Sequence, residues 1–265
     1  MMLIDIGANL THDSFAEDLD KVLERAAEAG VTQLIVTGAS IAGSERAAEL
    51  AQQHPQLYAT AGMHPHHAKD TTDDALVRFR ELAAQDKVVA LGETGLDFFR
   101  DFSPRPAQIA SFEKHLELAA DTGLPLFLHE RDAHPTFAQV LVNYRDKLSQ
   151  VVVHCFTGEK EALHAYLDLD CHIGITGWIC DERRGLHLHK LVRDIPQNRL
   201  MIETDSPYLM PRTLKPRPNT RRNEPMYLTA VCATVAECLA LTHAEVAQFT
   251  SRNARDFFGL PDSQP

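Results

Sequence analysis

The sequence predicts an α/β protein, a TIM-type (β/α)8 barrel that forms a single domain over residues 1–265. Short apolar runs alternate regularly with amphipathic stretches, and residue types that bind metals follow several of these runs. Alternation of this kind is typical of barrels whose chemistry lies on the loops after the strands. An open doubly wound sheet is the alternative, but no GxGxxG turn follows the first predicted strand.

Eight strand candidates are short runs that are rich in apolar and β-branched residues and lack polar alternation. This composition is typical of parallel strands that are buried on both faces. The candidates are residues 2–7, 32–37, 57–62, 87–92, 124–129, 151–155, 171–176 and 199–203.

The stretches between the strands have the apolar spacing of amphipathic helices. The clearest examples are residues 15–30 and 108–123, with two more helices near 224–240 and 243–258. Gly30 and Gly123 stand where a helix is expected to end. The connection 204–223 contains four prolines and is too long for an ordinary turn, which is typical of functional or mobile loops.

Four residues of metal-ligating type lie at or just after the ends of predicted strands: Glu93, His129, His154 and Asp205. Side chains so far apart in sequence converge only if the strands run parallel and end on one rim. Carboxylates and imidazoles together bind divalent cations, so the pattern predicts a metal site in a hydrolase. Glu93 and Asp205 are also the catalytic candidates. Asp205 is the predicted general base, because one of its oxygens can orient a water while the other contacts metal.

Substrate-binding candidates follow the same strand ends or lie in the loops beyond them. They are His64, Asn9, Arg131, Arg183 and Arg222. Guanidinium groups suit phosphate because they form planar, bidentate contacts. For the loop arginines a solvated charge or an ion pair with a nearby acid is the alternative, and Trp178 either stacks on a base or packs locally. His115 falls on a predicted helix, where an exposed position is expected.

Composition narrows the classes of partner. The net charge of −11 argues against a broad duplex-binding surface, although a basic cluster within residues 212–222 permits a short strand end. No apolar run approaches the roughly 20 residues that span a bilayer, and the N-terminus lacks the features of a secretory signal. Five cysteines without a CxxC pair indicate reduced thiols and a cytoplasmic location. A monomer is favoured.

A series of motifs in order along the chain resembles the TatD family of metal-dependent nucleases. These motifs are GMHPH (62–66), GETGLDF (92–98), LHERD (128–132), HCFTG (154–158), ITGW (175–178), CDERRG (180–185), IETDSPYL (202–209) and RRNEP (221–225). The resemblance implies an amidohydrolase-like barrel and a cytoplasmic enzyme. It also implies Mg²⁺- or Mn²⁺-dependent cleavage of phosphodiesters from the 3′ end of single-stranded DNA or RNA, in DNA repair or nucleic-acid turnover.

One departure from the family concerns the first strand. Much of the family has a His-x-His pair where this chain has Gly7 and Asn9, a substitution that one branch of the family shares. Without two imidazoles this position is richer in oxygen, with Asn9 as a weak ligand. We therefore expect Mg²⁺ or Mn²⁺ rather than Zn²⁺, and the number of ions, one or two, stays open.

Two other functions remain as alternatives. An amidohydrolase-like enzyme would attack a small amide, an ester or an aminoacyl-tRNA ester with the same rim of ligands. A barrel that binds nucleic acid or protein without turnover is the other alternative, which the missing histidine pair keeps open.

Overall fold

The computed structural model describes residues 2–262, and its eight strands belong to one sheet in the order of the chain. The strands are β1 (Leu3–Ala8), β2 (Val31–Val36), β3 (Leu57–Ala61), β4 (Val88–Asp97), β5 (Leu126–Arg131), β6 (Val151–Val153), β7 (His172–Ile175) and β8 (Leu200–Ile202). Neighbours from β3 to β6, and the pair β7–β8, are parallel. A parallel bridge also joins Ala8 to Ser206, just past β8. This is the strand order of a TIM-type barrel, so the predicted fold is confirmed.

Helices alternate with the strands. They are α1 (Leu19–Glu28), α2 (Ile41–Gln53), α3 (Asp73–Ala83), α4 (Arg105–Thr122), α5 (His134–Tyr144), α6 (Lys160–Asp168), α7 (Leu188–Leu191), α8 (Leu228–Leu239) and α9 (His243–Phe258). Short 3₁₀ turns occupy several of the connections.

The predicted helix ends are found where the sequence chemistry places them. Gly123 follows α4 with a φ of 74°, and Gly30 lies just past α1 with a φ of 86°. Glycine adopts this left-handed conformation without steric cost, which makes it a common helix stop. Helix α9 begins with a capping box in which Thr242 and Glu245 exchange hydrogen bonds, and Gly259 ends it.

The main difference from the predicted strands is the length of β4. It continues five residues past the predicted end at 92, because Leu96 and Asp97 still pair with Glu130 and Arg131 of β5. Glu93 therefore lies inside β4 rather than at its end. The pairing shifts register between Leu91 and Thr94, so Glu93 falls on an irregular part of the ladder.

The contacts of the described residues group them into two compact units. Unit 1 comprises residues 2–35, 155–159 and 173–262, and unit 2 comprises residues 36–154 and 160–172. In unit 1, α9 packs on β1 and β8. In unit 2, Phe112 of α4 stacks on Phe137 of α5 with ring centroids 5.0 Å apart. That the chain folds as a single domain stays a prediction.

Within residues 2–262, no single helix is long and apolar enough to cross a membrane. The bent pair Pro225–Leu239 and His243–Phe258, which meets at 110°, passes that test together by length and composition alone.

Candidate metal centre

Three histidine rings converge on one oxygen of Glu93 in unit 2. The Oε1 atom of Glu93 lies 2.8 Å from His154 Nε2, 2.9 Å from His129 Nδ1 and 3.3 Å from His64 Nε2. Glu93 is 6% exposed and His154 is 4% exposed. The side chains of His64 and His129 are 12% and 19% exposed, so solvent reaches the cluster from their side. We call these four residues the metal centre.

Two glycines allow the backbone to approach closely beside the metal centre. A Cβ on Gly62 would lie 2.6 Å from the Cα of Gly92, and a Cβ on Gly92 would lie 2.1 Å from the carbonyl oxygen of Phe127. Gly92 also has a φ of 138°, which side chains disfavour. Gly62 lies two residues before His64, and Gly92 lies directly before Glu93. The close approach of the backbone therefore explains why the motifs GMH (62–64) and GET (92–94) begin with glycine.

Two groups of the metal centre have pKa values far below their ordinary ones. Burial alone would raise the pKa of Glu93, but His64, His154 and His129 outweigh it and hold that pKa well below its usual value. Burial lowers the pKa of His64 to about 4. His64 is therefore neutral near pH 7, and the neutral imidazole is the form that binds a metal.

Asp97 supports the metal centre from the end of β4. Its Oδ2 lies 2.8 Å from His66 Nε2 and 3.5 Å from His129 Nε2, and its Oδ1 accepts hydrogen bonds from the backbone of Phe99 and Arg100. Burial opposes ionisation of Asp97, but His129 and His66 outweigh it and lower its pKa. Conversely, Asp97 and Glu93 raise the pKa of His129 against the effect of burial.

The donor set fits a divalent cation. One ligand atom each from His64, Glu93 and His129 lies within 4.8 Å of the other two. The buried Nε2 of His129 makes no well-formed hydrogen bond among the described residues and has only the longer ionic contact of 3.5 Å to Asp97. One carboxylate with several imidazoles is a common ligand set for catalytic metals. His64, predicted to bind substrate, thus stands among the residues that could hold the ion.

His115, expected at an exposed position, is instead fully buried in α4. Its Nε2 accepts a hydrogen bond of 3.2 Å from the backbone N–H of Met63, and its Nδ1 lies 2.8 Å from the carbonyl oxygen of Ser111. Burial lowers the pKa of His115 to about 4, so the ring is neutral near pH 7. The expectation was wrong because the helical pattern gave no sign that a polar backbone group needed an acceptor there. His115 fixes the residue that precedes His64.

Asp205 and Asn9 are brought together in unit 1. The side-chain amide of Asn9 donates a 2.9 Å hydrogen bond to Asp205 Oδ1, and the Asp205 backbone N–H donates to the carbonyl of Gly7 at 2.8 Å. Asp205 has a φ of 54°, a left-handed conformation that non-glycine residues adopt rarely and often at functional sites. Its predicted partnership with Glu93 stays a prediction.

A buried carboxylate anchors the backbone before Asp205. Asp5 of β1 is fully buried and accepts hydrogen bonds from Thr204 Oγ1 at 2.5 Å, from Thr204 N at 2.9 Å and from Gly7 N at 3.3 Å. Burial outweighs these bonds and raises the pKa of Asp5 to about 7.

The predicted phosphate-binding arginines differ in their surroundings. Arg131 ends β5 in unit 2, its guanidinium lies 5.0 Å from the ring centre of Phe99, and its Nε makes a longer ionic contact of 3.6 Å with Asp132. Arg183 forms a two-point ion pair with Asp181 at 2.8–3.0 Å. Arg222 contacts Asp18, Glu224 and the carbonyl of Ser14. The ion-pair alternative therefore describes the geometry of Arg183 and Arg222.

Unit 1 also contains an arginine-rich pocket of about 490 Å³ beside Trp178. Its charged lining consists of Asp181 and five arginines: Arg183, Arg184, Arg212, Arg217 and Arg221. The guanidinium of Arg184 lies 4.1 Å from the Trp178 ring centre. Among residues 2–262, the side chains of Arg217 and Arg221 make no ion pair or hydrogen bond. This pocket is locally cationic although the chain carries a net charge of −11.

Comparison with known proteins identifies relatives over the whole length of the chain. The model of the family described as "TatD related DNase" matches residues 4–259. A protein of Pantoea ananatis named 3′-5′ ssDNA/RNA exonuclease TatD is 46% identical over 97% of this chain and 100% of its own length. A protein of the same name from Enterobacter lignolyticus is 47% identical over 97% of this chain and 99% of its own.

Solved structures agree with the family model. The TatD homolog YjjV of Escherichia coli superposes with a TM-score of 0.89 at 29% identity, covering 98% of each chain. A TatD family hydrolase of Entamoeba histolytica gives a TM-score of 0.89 at 27% identity, covering 97% of this chain and 98% of its own. A β-aspartyl dipeptidase of Fervidobacterium islandicum, at 13% identity and a TM-score of 0.59, shares the fold alone.

Proposed function

Because the chain belongs to the family of TatD-related DNases, we propose that it hydrolyses the phosphodiester bonds of single-stranded DNA or RNA from the 3′ end. The observation that carries this proposal is the convergence of His64, His129 and His154 on Glu93. A largely buried cluster of one carboxylate and three imidazoles has little structural use by itself, but it suits a metal-dependent hydrolase. The names of relatives at 46–47% identity support the choice of substrate and direction.

Glu93, His129 and His154 would hold the cation together with His64, and Asp205 is the predicted further ligand. We propose Mg²⁺ or Mn²⁺, one or two ions, because carboxylate oxygens suit these hard cations. Such an ion supplies Lewis acidity towards phosphate and lowers the pKa of water.

The chain's own residues orient the reaction. Asp97 holds the rings of His66 and His129, and Asn9 fixes one carboxylate oxygen of Asp205. Asp205 is the proposed general base, since its second oxygen can accept a proton from water within hydrogen-bond reach. Arg131 and Arg183 are proposed phosphate contacts, and Arg183 would exchange its two-point contact with Asp181 for one with phosphate. Arg222 would have to exchange a carboxylate for a phosphate to contribute.

We further propose a cytoplasmic monomer. The five cysteines are free thiols rather than disulfides, which supports a reducing compartment.

The test is a digestion ladder on a single-stranded DNA oligonucleotide that carries a 5′ label. The protein is incubated with the oligonucleotide in Mg²⁺, in Mn²⁺ and in EDTA. Shortening from the 3′ end that needs metal is the expected result. Asp205→Ala and Glu93→Gln should each lower the rate by orders of magnitude. Asp74→Ala, which removes an exposed carboxylate on α3, is the matched control and should cleave normally.

Near-normal cleavage by Asp205→Ala would remove Asp205 from the mechanism. An intact oligonucleotide with every metal, together with hydrolysis of amide or ester substrates, would instead favour the amidohydrolase-like alternative.

A further inference from the structure

Two phenylalanines on the loop after β4 are left in solvent. Phe99 is 55% exposed and Phe102 is 63% exposed, on residues 98–104, which we call the aromatic loop. One exposed apolar side chain on a surface needs no explanation. Two large rings on one loop, in the same unit as the metal centre, expose much apolar surface where a substrate would have to approach.

The aromatic loop is fastened at its base. The hydroxyl of Ser103 donates to the carbonyl of His66 at 2.9 Å and accepts from the backbone N–H of Lys69 at 3.2 Å. The buried side chain of Gln108 bonds both backbone groups of Asp97 and the carbonyl of Ser103, at 2.8–3.1 Å. The two rings are therefore displayed on a well-supported loop, which reduces the entropy lost when a ligand binds.

The aromatic loop touches the residues around the metal centre. The ring of Phe102 lies 4.7 Å from the ring of His66, and His66 in turn lies 4.2 Å from His64 and hydrogen-bonds to Asp97. A group stacked on Phe102 would thus sit two rings away from a residue that could hold the metal.

Cationic groups flank the other ring. The guanidinium of Arg131 lies 5.0 Å from the centre of Phe99, and that of Arg100 lies 5.3 Å from it. Proteins that bind a single strand without regard to sequence combine aromatic rings with positively charged side chains. The rings stack on the bases, each of which has a π-face, and the charges contact the phosphates. An apolar protein partner would gain nothing from the two arginines.

We propose that Phe99 and Phe102 form a stacking platform for the terminal bases of a single-stranded nucleic acid, with Arg100 and Arg131 contacting its phosphates. The platform rests on the proposed nuclease function, whose substrate it would position. Stacking would hold the strand end beside the metal centre whatever its sequence.

The first test measures binding without cleavage. A 5′-fluorescein single-stranded oligonucleotide is titrated in EDTA with the wild type and with the double variant Phe99→Ala/Phe102→Ala, and anisotropy gives the Kd. We expect the double variant to bind about tenfold or more weakly. Phe102→Trp should retain affinity, and Phe102→Leu should lose it, because leucine keeps the apolar surface but not the π-face.

The matched control is Val142→Ala, which removes an exposed apolar side chain from α5 (52% exposed) and should not change Kd. Circular dichroism and thermal melting check that each variant is folded.

The second test separates bases from backbone. An oligonucleotide whose last three 3′ nucleotides are abasic keeps its phosphates but has nothing to stack. The ratio of Kd between the double variant and the wild type should fall to about one on this strand. A ratio that is unchanged by the abasic end would overturn the platform, as would equal binding of the normal strand by the two proteins. A variant that alters only the sedimentation of the free protein would assign the rings to self-association and would also overturn it.

The platform and the nuclease function can fail separately. If the wild type cleaves with metal but the double variant binds and cleaves normally, the platform is wrong and the nuclease stands. If no metal supports cleavage while binding still depends on the rings and the bases, the platform stands and the nuclease is wrong.

Discussion

Replacing the buried carboxyl of Asp5 by an amide should change how the stability of the protein depends on pH. Burial raises the pKa of Asp5 in the folded state to about 7, from the ordinary 3.8 that we expect of the unfolded chain. Between pH 3.8 and about pH 7, Asp5 is protonated in the folded state and ionised in the unfolded chain. The stabilisation from Asp5 is therefore complete below about pH 4, falls as the pH rises to about 7, and is constant above that.

The size of the effect follows from the two pKa values. Between pH 5 and pH 8 the wild type should lose about 2–3 kcal/mol of its free energy of unfolding through Asp5 alone. Asp5→Asn keeps an oxygen for the N–H groups of Thr204 and Gly7 but cannot ionise. Its free energy of unfolding should therefore fall less with pH than that of the wild type.

Urea unfolding of both proteins at several pH values measures this difference. Other titrating groups are common to the two proteins and cancel in the comparison. Asp5→Ala is the contrast, since it leaves buried N–H groups without an acceptor and should be destabilised at every pH. Parallel curves for the wild type and Asp5→Asn would refute the reasoning, because they would mean that Asp5 stays ionised in the folded state.

Two further substitutions test the supports of the site. His115→Leu should cost about 1–3 kcal/mol in urea unfolding, because it leaves the Met63 N–H buried without an acceptor. His115→Leu should also reduce the rise in melting temperature on adding Mg²⁺ or Mn²⁺, and His115→Gln should partly restore that rise. A normal rise in the leucine variant would show that His115 does not position the backbone next to His64. Arg222→Ala should lower the free energy of unfolding by about 1–3 kcal/mol, because Asp18 and Glu224 lose a charged partner. It should also speed trypsin cleavage after Arg212 or Arg221, within residues 204–223. Arg217→Ala is its control, and equal effects of the two substitutions would refute the claim.

The strands and helices could be predicted from the sequence because each has a recognisable local sequence pattern. Buried parallel strands are continuous apolar runs, and helices such as α9 begin and end with recognisable caps. The extension of β4 through Asp97 was missed because GETGLD contains two glycines and two acids, which do not read as a strand. Hydrogen bonds to β5 override that local preference.

The candidate site was predictable only in part for a similar reason. Residue type and strand position suffice to select Glu93, His129 and His154. Whether an arginine faces solvent or pairs with an acid depends on residues distant in sequence. Arg222, for example, pairs with Asp18, which is 204 positions away. The role of His115 depends on the backbone N–H of Met63, which lies just past the end of β3 and bonds to a side chain of α4. No periodicity in one segment carries that information.

The position of Trp178 allows binding in the arginine-rich pocket to be followed by intrinsic tryptophan fluorescence. It is the only tryptophan in the chain, so its emission comes from a single point. That point lies against Arg184 in the arginine-rich pocket, where the indole N–H also donates to the Arg184 carbonyl at 3.3 Å. An anion that drew the guanidinium away would change the surroundings of the indole and hence its emission. Titration of phosphate or nucleotides can thus be followed by intrinsic fluorescence on the unlabelled, unmodified chain.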